Sequence, residues 1–293
     1  MSTGRITTGV LVSILLLSST SMMVAEPVQR TDDYSSNASL PTWVLVHGTY
    51  GGSWIWYKIQ GLLEAEGYLV YSVDLTSHGI VEDDRSADSV RTIEDWASPL
   101  CNFLSNSTQK VLLVTHSLGG AAASLAMEMY PEKISKAIFV AAAMPANGEV
   151  VGDVISNKLQ QQVDTGVLSL SYADGSLSMP TSMHMNINLP ASRKFFFNRC
   201  PDEDFILLRD LLTPFPYRPF MQSLTLTDGN YGSVPRYYIK CGLDNMFSVV
   251  TQQKICDNNP PQVQFVLKNG DHAPMFSETP YLFFMLKSIQ KYH

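Results

Sequence analysis

One run of ten residues restricts the fold of this chain more than any other: Val111-Leu112-Leu113-Val114-Thr115-His116-Ser117-Leu118-Gly119-Gly120. Residues 110–114 read as an apolar strand with no polar alternation, which means burial on both faces, as in a parallel sheet. Residues 119–130, rich in Ala and Met, read as a helix. Passing from strand to helix through one serine demands a sharp turn. Gly119, Gly120 and Ala121 are small enough to let the helix lie close on the strands. Such a turn lifts a serine hydroxyl above the carboxyl edge of the sheet. The run matches G-x-S-x-G, with Thr115 where the first Gly is usual.

Segments on either side repeat the alternation. Strands are expected at 42–46, 68–73, 136–142, 236–240 and 262–267, and helices at 54–67, 90–104 and 279–291. Ile55, Ile59, Leu62 and Leu63 fall on one face of the first helix. Short apolar strands alternating with helices imply a mostly parallel sheet with helices on both faces. Combined with the serine turn, this is an α/β-hydrolase fold. Ligands of such sheets sit beyond the carboxyl ends of the strands. The loops after Val46, Val114, Lys240 and Leu267 should therefore meet at one site. Between 142 and 236 the alternation stops, over a stretch too long for a loop. It is expected to be an inserted helical cap, about residues 146–230, within a hydrolase domain spanning 42–293.

A nucleophilic serine needs a base, and the base needs an orienting carboxylate. In this fold the chain order is Ser, acid, His. Asp244 follows the 236–240 strand and His272 follows the 262–267 strand, so Ser117, Asp244 and His272 are the expected catalytic residues. Asp271 adjoins His272, but adjacent side chains rarely point at each other. The backbone amides of Leu118, at the start of the helix, and of Thr49, in the Gly-rich loop after the first strand, are the expected oxyanion donors. Gly48 and His116 are expected to contact substrate, and His78 to line the entrance. Phe195, Phe196, Phe197, Phe205 and Phe215 are candidates for an apolar acyl pocket.

Composition narrows the partners. Hydrophobic residues make up 45% and charged residues 16%, and the net charge is −7. An acidic globular chain offers no footprint for nucleic acid or an anionic membrane. Cys101, Cys200, Cys241 and Cys256 form no metal-ligand pattern with histidine, and disulfides or buried free thiols are both open. No cofactor or metal is expected. Arg5, an apolar stretch at 10–17 and hydroxylated residues at 18–21 precede the first acidic residue, Glu26. Residues 1–25 therefore read as a secretory signal peptide, and 26–41 as a polar linker. A plastid or vacuolar destination is the alternative to an extracellular one. The sequons at Asn37 and Asn106 fit a glycoprotein.

The motifs together resemble the plant methylesterase and hydroxynitrile lyase family. The likeness is carried by Val44-Leu45-Val46-His47-Gly48 with Trp54, Trp56, Tyr57 and Lys58 after it, by residues 115–120 and 139–145, by Tyr231-Gly232-Ser233-Val234-Pro235-Arg236, and by 270–277. It covers roughly residues 43–293 and is weakest in the cap. The resemblance implies a cofactor-independent esterase for small, fairly apolar methyl esters of hormone or specialised-metabolite type. A homodimer is left open. The alternatives are a hydroxynitrile lyase, a carbomethoxy esterase whose product loses carbon dioxide, and a ligand receptor on a hydrolase scaffold. Lyases of the family carry Thr after the first-strand His and Lys after the catalytic His. Here those positions are Gly48 and Ala273, which favours the esterase. Gly51 stands where many members carry His.

Overall fold

A computed structural model of the chain describes residues 40–80, 85–175 and 178–292, and the side chains of all but 154–157 among them. The signal-peptide reading, nearly all of the linker and the Asn37 sequon lie outside the described residues. In chain order the elements are β1 (Thr42–Val46), α1 (Tyr57–Ala65), β2 (Val70–Val73), α2 (Ile93–Asn106), β3 (Val111–His116), α3 (Gly119–Met129) and β4 (Ile134–Val140). Then come α4 (Val151–Asp164), β5 (Leu168–Ser171), β6 (Ser182–Met185), α5 (Pro190–Phe196), α6 (Asp202–Leu211) and β7 (Phe215–Pro216). The chain ends with β8 (Arg236–Cys241), α7 (Val249–Asn258), β9 (Val263–Leu267), α8 (Pro274–Ser277) and α9 (Thr279–Gln290).

The main sheet has the order β2-β1-β3-β4-β8-β9, and every described pairing in it is parallel. β1 and β3 are buried along their whole length, as their unbroken apolar runs require. At the edge, β9 alternates partly buried with exposed residues until Leu267. α2 packs on α3, and α1 on α9. The order reverses between β1 and β3, because β2 lies on one side of β1 and the chain crosses to the other. In open sheets that reversal is where a crevice forms.

Element ends differ from the sequence expectation for identifiable reasons. α2 starts at Ile93 because Thr92 and Asp95 form a capping box: Thr92 Oγ1 accepts from the Asp95 amide at 3.0 Å, and Asp95 Oδ2 from the Thr92 amide at 3.3 Å. Pro99 inside α2 cannot donate to the Asp95 carbonyl, which instead accepts from Thr76 Oγ1 at 2.7 Å. β3 runs on to His116, paired with Val140, and stops where Ser117 turns into the left-handed region. β4 stops at Val140 because Ala141 does the same, at φ 42°. α7 carries no apolar stripe by which periodicity could reveal it. Its buried Gln252 instead bonds the backbone of β8, accepting from the Cys241 amide at 2.9 Å and donating to the Cys241 carbonyl at 3.0 Å.

The segment between β4 and β8 is not purely helical. It combines α4, α5 and α6 with a three-stranded antiparallel sheet of order β5-β6-β7, pairing Leu168 with Met185 and Met183 with Phe215. Strands such as Leu168–Ser171 and Ser182–Met185 are too short and too rich in serine to leave a periodic signal. The cysteines Cys101, Cys200, Cys241 and Cys256 are all free and buried.

Close approach of α3 to the sheet depends on two glycines. A Cβ on Gly119 would stand 2.0 Å from the His47 carbonyl oxygen, and one on Gly120 would stand 1.8 Å from that of Ala143. Gly120→Ala should therefore lower stability by at least about 1–3 kcal/mol. Gly61→Ala, in α1 with nothing within 4 Å, should raise it by roughly 0.5–1 kcal/mol. Urea unfolding midpoints of the two variants, moving in opposite directions from the parent, check this.

Candidate active site

Ser117 adopts φ 52°, a conformation that costs a non-glycine residue about 1–3 kcal/mol and persists only when its surroundings hold it. Its amide donates to Val140 at 3.4 Å, and its carbonyl accepts from Gly120 at 3.2 Å and Ala143 at 2.9 Å. The turn is thus pinned to the end of β4 and to the first turn of α3. Gly48 supports it from the other side, where a Cβ would lie 2.6 Å from Ser117 Cβ.

The turn places Ser117 Oγ 2.9 Å from His272 Nε2, while His272 Nδ1 is 2.8 Å from Asp244 Oδ2. A carboxylate can only accept, so Nδ1 carries the proton and Nε2 is free to take one from the serine. The other oxygen, Asp244 Oδ1, accepts from the amides of Met246 at 2.7 Å and Phe247 at 2.8 Å. All three side chains are buried. Phe247 packs edge-on to the His272 ring at 5.3 Å and Phe196 at 6.1 Å, which restricts its rotation. A nucleophile, a base and an orienting acid in this line are suited to acyl transfer.

A narrow cavity lies over Ser117, with about 270 Å³ of empty space including its mouth. Thr49, Tyr50 and Leu118 line it from the core, Leu159, Gln162, Leu168, Met183 and Phe196 from the cap, and Met246 from the acid loop. Among the described residues, the Thr49 and Leu118 amides donate to no other protein group. A larger groove, with about 1090 Å³ of empty space including its mouth, lies at the opposite ends of the strands, between Thr42, Leu69, Tyr71 and Val111, far from this constellation.

Two expected substrate contacts fall elsewhere. His116 does not line the cavity. It is buried behind the turn, and its Nε2 donates at 2.6 Å to the carbonyl of His272. Burial holds its pKa well below the usual value, so it is neutral. Gly48 also lies outside the lining and packs on Ser117. His78 is not at an entrance. It is buried against Trp96 and Phe215, with its pKa pushed down to about 3 by desolvation. His47 is likewise internal: its Nδ1 donates to the Gly48 carbonyl at 2.6 Å, its Nε2 accepts from the Leu75 amide at 3.0 Å, and burial lowers its pKa to about 4.

Of the five phenylalanines, Phe196 alone lines the cavity. Phe197 packs on Phe205, Phe205 lies under the Arg193 guanidinium, Phe215 joins Trp96 and Phe220 in the core, and Phe195 packs partly buried against that core. Thr115, the unusual residue of the turn, is fully buried with its hydroxyl unpartnered, 3.2 Å from where a Gly119 Cβ would stand. A missing Cβ at residue 119 thus leaves room for it.

Sequence reasoning missed the residues that tie the cap to the site. Asp271 does not orient His272. Its Oδ2 accepts from the Arg199 amide in the cap at 2.8 Å, and its Oδ1 from the Ala273 amide at 3.0 Å and Ser277 Oγ at 2.7 Å. Burial raises its pKa, against the lowering effect of these donors. Nearby, Asn198 Nδ2 donates to the Leu243 carbonyl at 3.1 Å and Asn245 Nδ2 to that of Lys194 at 2.8 Å. Asp204 of α6 accepts from Tyr57 Oη at 2.7 Å and Lys58 Nζ at 2.5 Å. Both carboxylates follow ordinary polar motifs in sequence, and only their buried placement marks them.

Residues 43–284 match the model of the α/β hydrolase family, and the chain belongs to it. It is 39% identical over 241 residues to a chloroplastic Arabidopsis thaliana protein provisionally named methylesterase 13, covering 80% of this chain and 52% of that protein. The chain thus spans about half the length of that relative. It is 34% identical over 241 residues to methyl jasmonate esterase 1 of Vitis vinifera, covering 80% of this chain and 91% of that one. Among solved structures, the Arabidopsis methylesterase MES16 superposes with a TM-score of 0.74 at 33% identity, covering 86% of this chain and 99% of that one.

Two substitutions probe the support of the site. Gly48→Val should displace Ser117 and the Thr49 amide together, slowing phosphonylation of Ser117 by a fluorophosphonate by roughly 10²-fold or more, the usual cost of losing one oxyanion donor. Asp271→Ala leaves two buried amides and a hydroxyl without an acceptor. It should lower unfolding free energy by about 3 kcal/mol and slow the same labelling reaction. Denaturant titration and labelling kinetics check both.

Proposed function

We propose that this chain is a serine carboxylesterase that hydrolyses small methyl esters through an acyl-enzyme on Ser117. The observation that carries the proposal is the line Ser117–His272–Asp244, joined by bonds of 2.9 and 2.8 Å beneath a cavity with two free backbone amides. Methyl jasmonate esterase 1 and MES16, the relatives named above, point to the methyl ester as the bond cleaved.

In this reading His272 Nε2 takes the Ser117 proton as Oγ attacks the ester carbonyl. The Thr49 and Leu118 amides hold the oxyanion. His272 then gives its proton to the leaving methoxide, and methanol departs. A water molecule, deprotonated by His272, attacks the acyl-enzyme, and the acid leaves with Ser117 regenerated. Asp244 stays ionised and stabilises the imidazolium throughout.

No residue lining the cavity carries a formal charge, and Ala273 follows His272. A departing cyanide would need a cation there, so the ester reading is favoured over the lyase. Decarboxylation after hydrolysis would depend on the acid released. A ligand receptor would have no use for the proton relay. The chloroplastic relative supports a plastid destination, and buried free cysteines need no oxidising compartment. The secretory reading rests on residues 1–25 and on the sequons at Asn37 and Asn106.

Methanol release from a panel of methyl esters tests the proposal. Ser117→Ala and His272→Ala should each lose roughly 10⁴-fold or more in kcat, and Asp244→Asn about 10⁴-fold. Cyanide release from mandelonitrile with no methanol from any ester would favour the lyase. Ligand binding without turnover would favour the receptor.

A further inference from the structure

Gln252 of α7 is fully buried and does not line the cavity over Ser117. Its side-chain amide makes three hydrogen bonds, all to backbone at the two ends of the loop that carries Asp244. Oε1 accepts from the Cys241 amide at 2.9 Å, and Nε2 donates to the carbonyls of Cys241 at 3.0 Å and Phe247 at 2.5 Å. A backbone amide can only donate and a carbonyl can only accept, so the orientation of the side chain is fixed and both of its donors are used.

The two bonds to Cys241 fill a gap in the sheet. β4 pairs with β8 as far as Val140 opposite Ile239, and the Ala141 amide donates to the Ile239 carbonyl at 2.9 Å. Alternate residues of a strand turn their backbone groups to the same neighbour, so Cys241 faces the side that β4 vacates when Ala141 turns into the left-handed region. The Gln252 amide stands there in place of a peptide group.

The third bond, to Phe247, is one that filling this gap does not require. Phe247 touches both partners of the proton relay: its amide donates to Asp244 Oδ1 at 2.8 Å, and its ring packs on that of His272 at 5.3 Å. The near end of the loop is tied separately. The Gly242 amide donates to the Leu267 carbonyl and the Leu243 amide to that of Gly270, both at 2.9 Å. Gln252 therefore sets the far end of the loop against a near end already held.

We infer that Gln252 is a positioning residue: by joining Cys241 to Phe247 it holds Asp244 Oδ2 in line with His272 Nδ1. This rests on the esterase reading of Ser117. A glutamine supplies one acceptor and two donors, the set that Cys241 and Phe247 require. Methionine supplies no donor, and a protonated glutamate supplies one.

The test measures kcat and KM for 4-nitrophenyl acetate with the full chain, with Gln252→Met and with Ile255→Ala. Gln252→Met nearly keeps the shape and removes all three bonds. Ile255 is buried on the same helix and makes none of them, so Ile255→Ala reports loss of packing alone. Circular dichroism melts set an assay temperature at which each variant is folded. Gln252→Met should lose roughly tenfold or more in kcat with KM within about threefold, because a small misplacement of a catalytic group can cost about 10²-fold. Ile255→Ala should keep kcat within about threefold. If Gln252→Met does not fold, Gln252→Glu takes its place, with the same split expected. Unchanged kcat in the Gln252 variant, or an equal loss in Ile255→Ala, overturns the inference and leaves the esterase reading standing, provided the parent shows Ser117-dependent hydrolysis. A parent with no Ser117-dependent hydrolysis of any ester overturns both.

Discussion

The backbone of Ser117 is turned into a left-handed conformation and clamped there by its neighbours. Its carbonyl is held by Gly120 and Ala143, its amide faces Val140, and Gly48 lies against its Cβ. Apart from the Gly120 bond, these contacts are unavailable to an isolated strand–helix peptide, because they come from the ends of β1 and β4. The raised serine therefore depends on the assembled central sheet. His116, the residue before it, extends β3 and reaches the carbonyl of His272. One short segment thus fixes Ser117 and steadies the loop that carries His272.

The cap is fastened to this frame by buried polar groups as well as by apolar packing of Phe215 and Phe220 on Tyr50 and Trp96. Asp204 receives Tyr57 and Lys58, Asp271 receives Arg199, and the Tyr50 carbonyl receives Thr213. Each carboxylate is surrounded by donors, which offsets the cost of burying it. The consequence is a division of labour. Ser117, His272 and Asp244 sit on loops of the sheet, while much of the wall of the cavity over Ser117 comes from α4, β5, β6 and α5.

Much of this was readable in the chain itself. The apolar runs at 42–46 and 110–114 mark central strands because both faces of a parallel sheet are buried. Ser117, Asp244 and His272 each stand just beyond a strand end, and the parallel pairing puts those ends on one edge of the sheet. The cap was less legible. Its strands are four residues or fewer, so the alternation in Leu168–Ser171 and Ser182–Met185 repeats only twice, too briefly to mark a strand. Aromatic clustering misled as well: Phe197 and Phe205 satisfy each other, and Phe215 is absorbed by the core. His116 and Gly48 adjoin the reacting groups in sequence, yet they support them from behind.

Sequence by itself determined the alternation, the serine turn and the placing of Ser117, Asp244 and His272 beyond strand ends, since these depend on hydrophobic period, small residues and strand ends, all local properties. Tertiary structure alone decided which side chains line the cavity over Ser117, that Asp271 fastens the cap rather than orienting His272, and that Tyr50 and Gln162 are left with unpaired polar atoms. Those outcomes depend on where segments more than a hundred residues apart come to rest, as in Tyr50 and Gln162 around one cavity. Side-chain pairing across such distances is set by packing, and no local pattern records it.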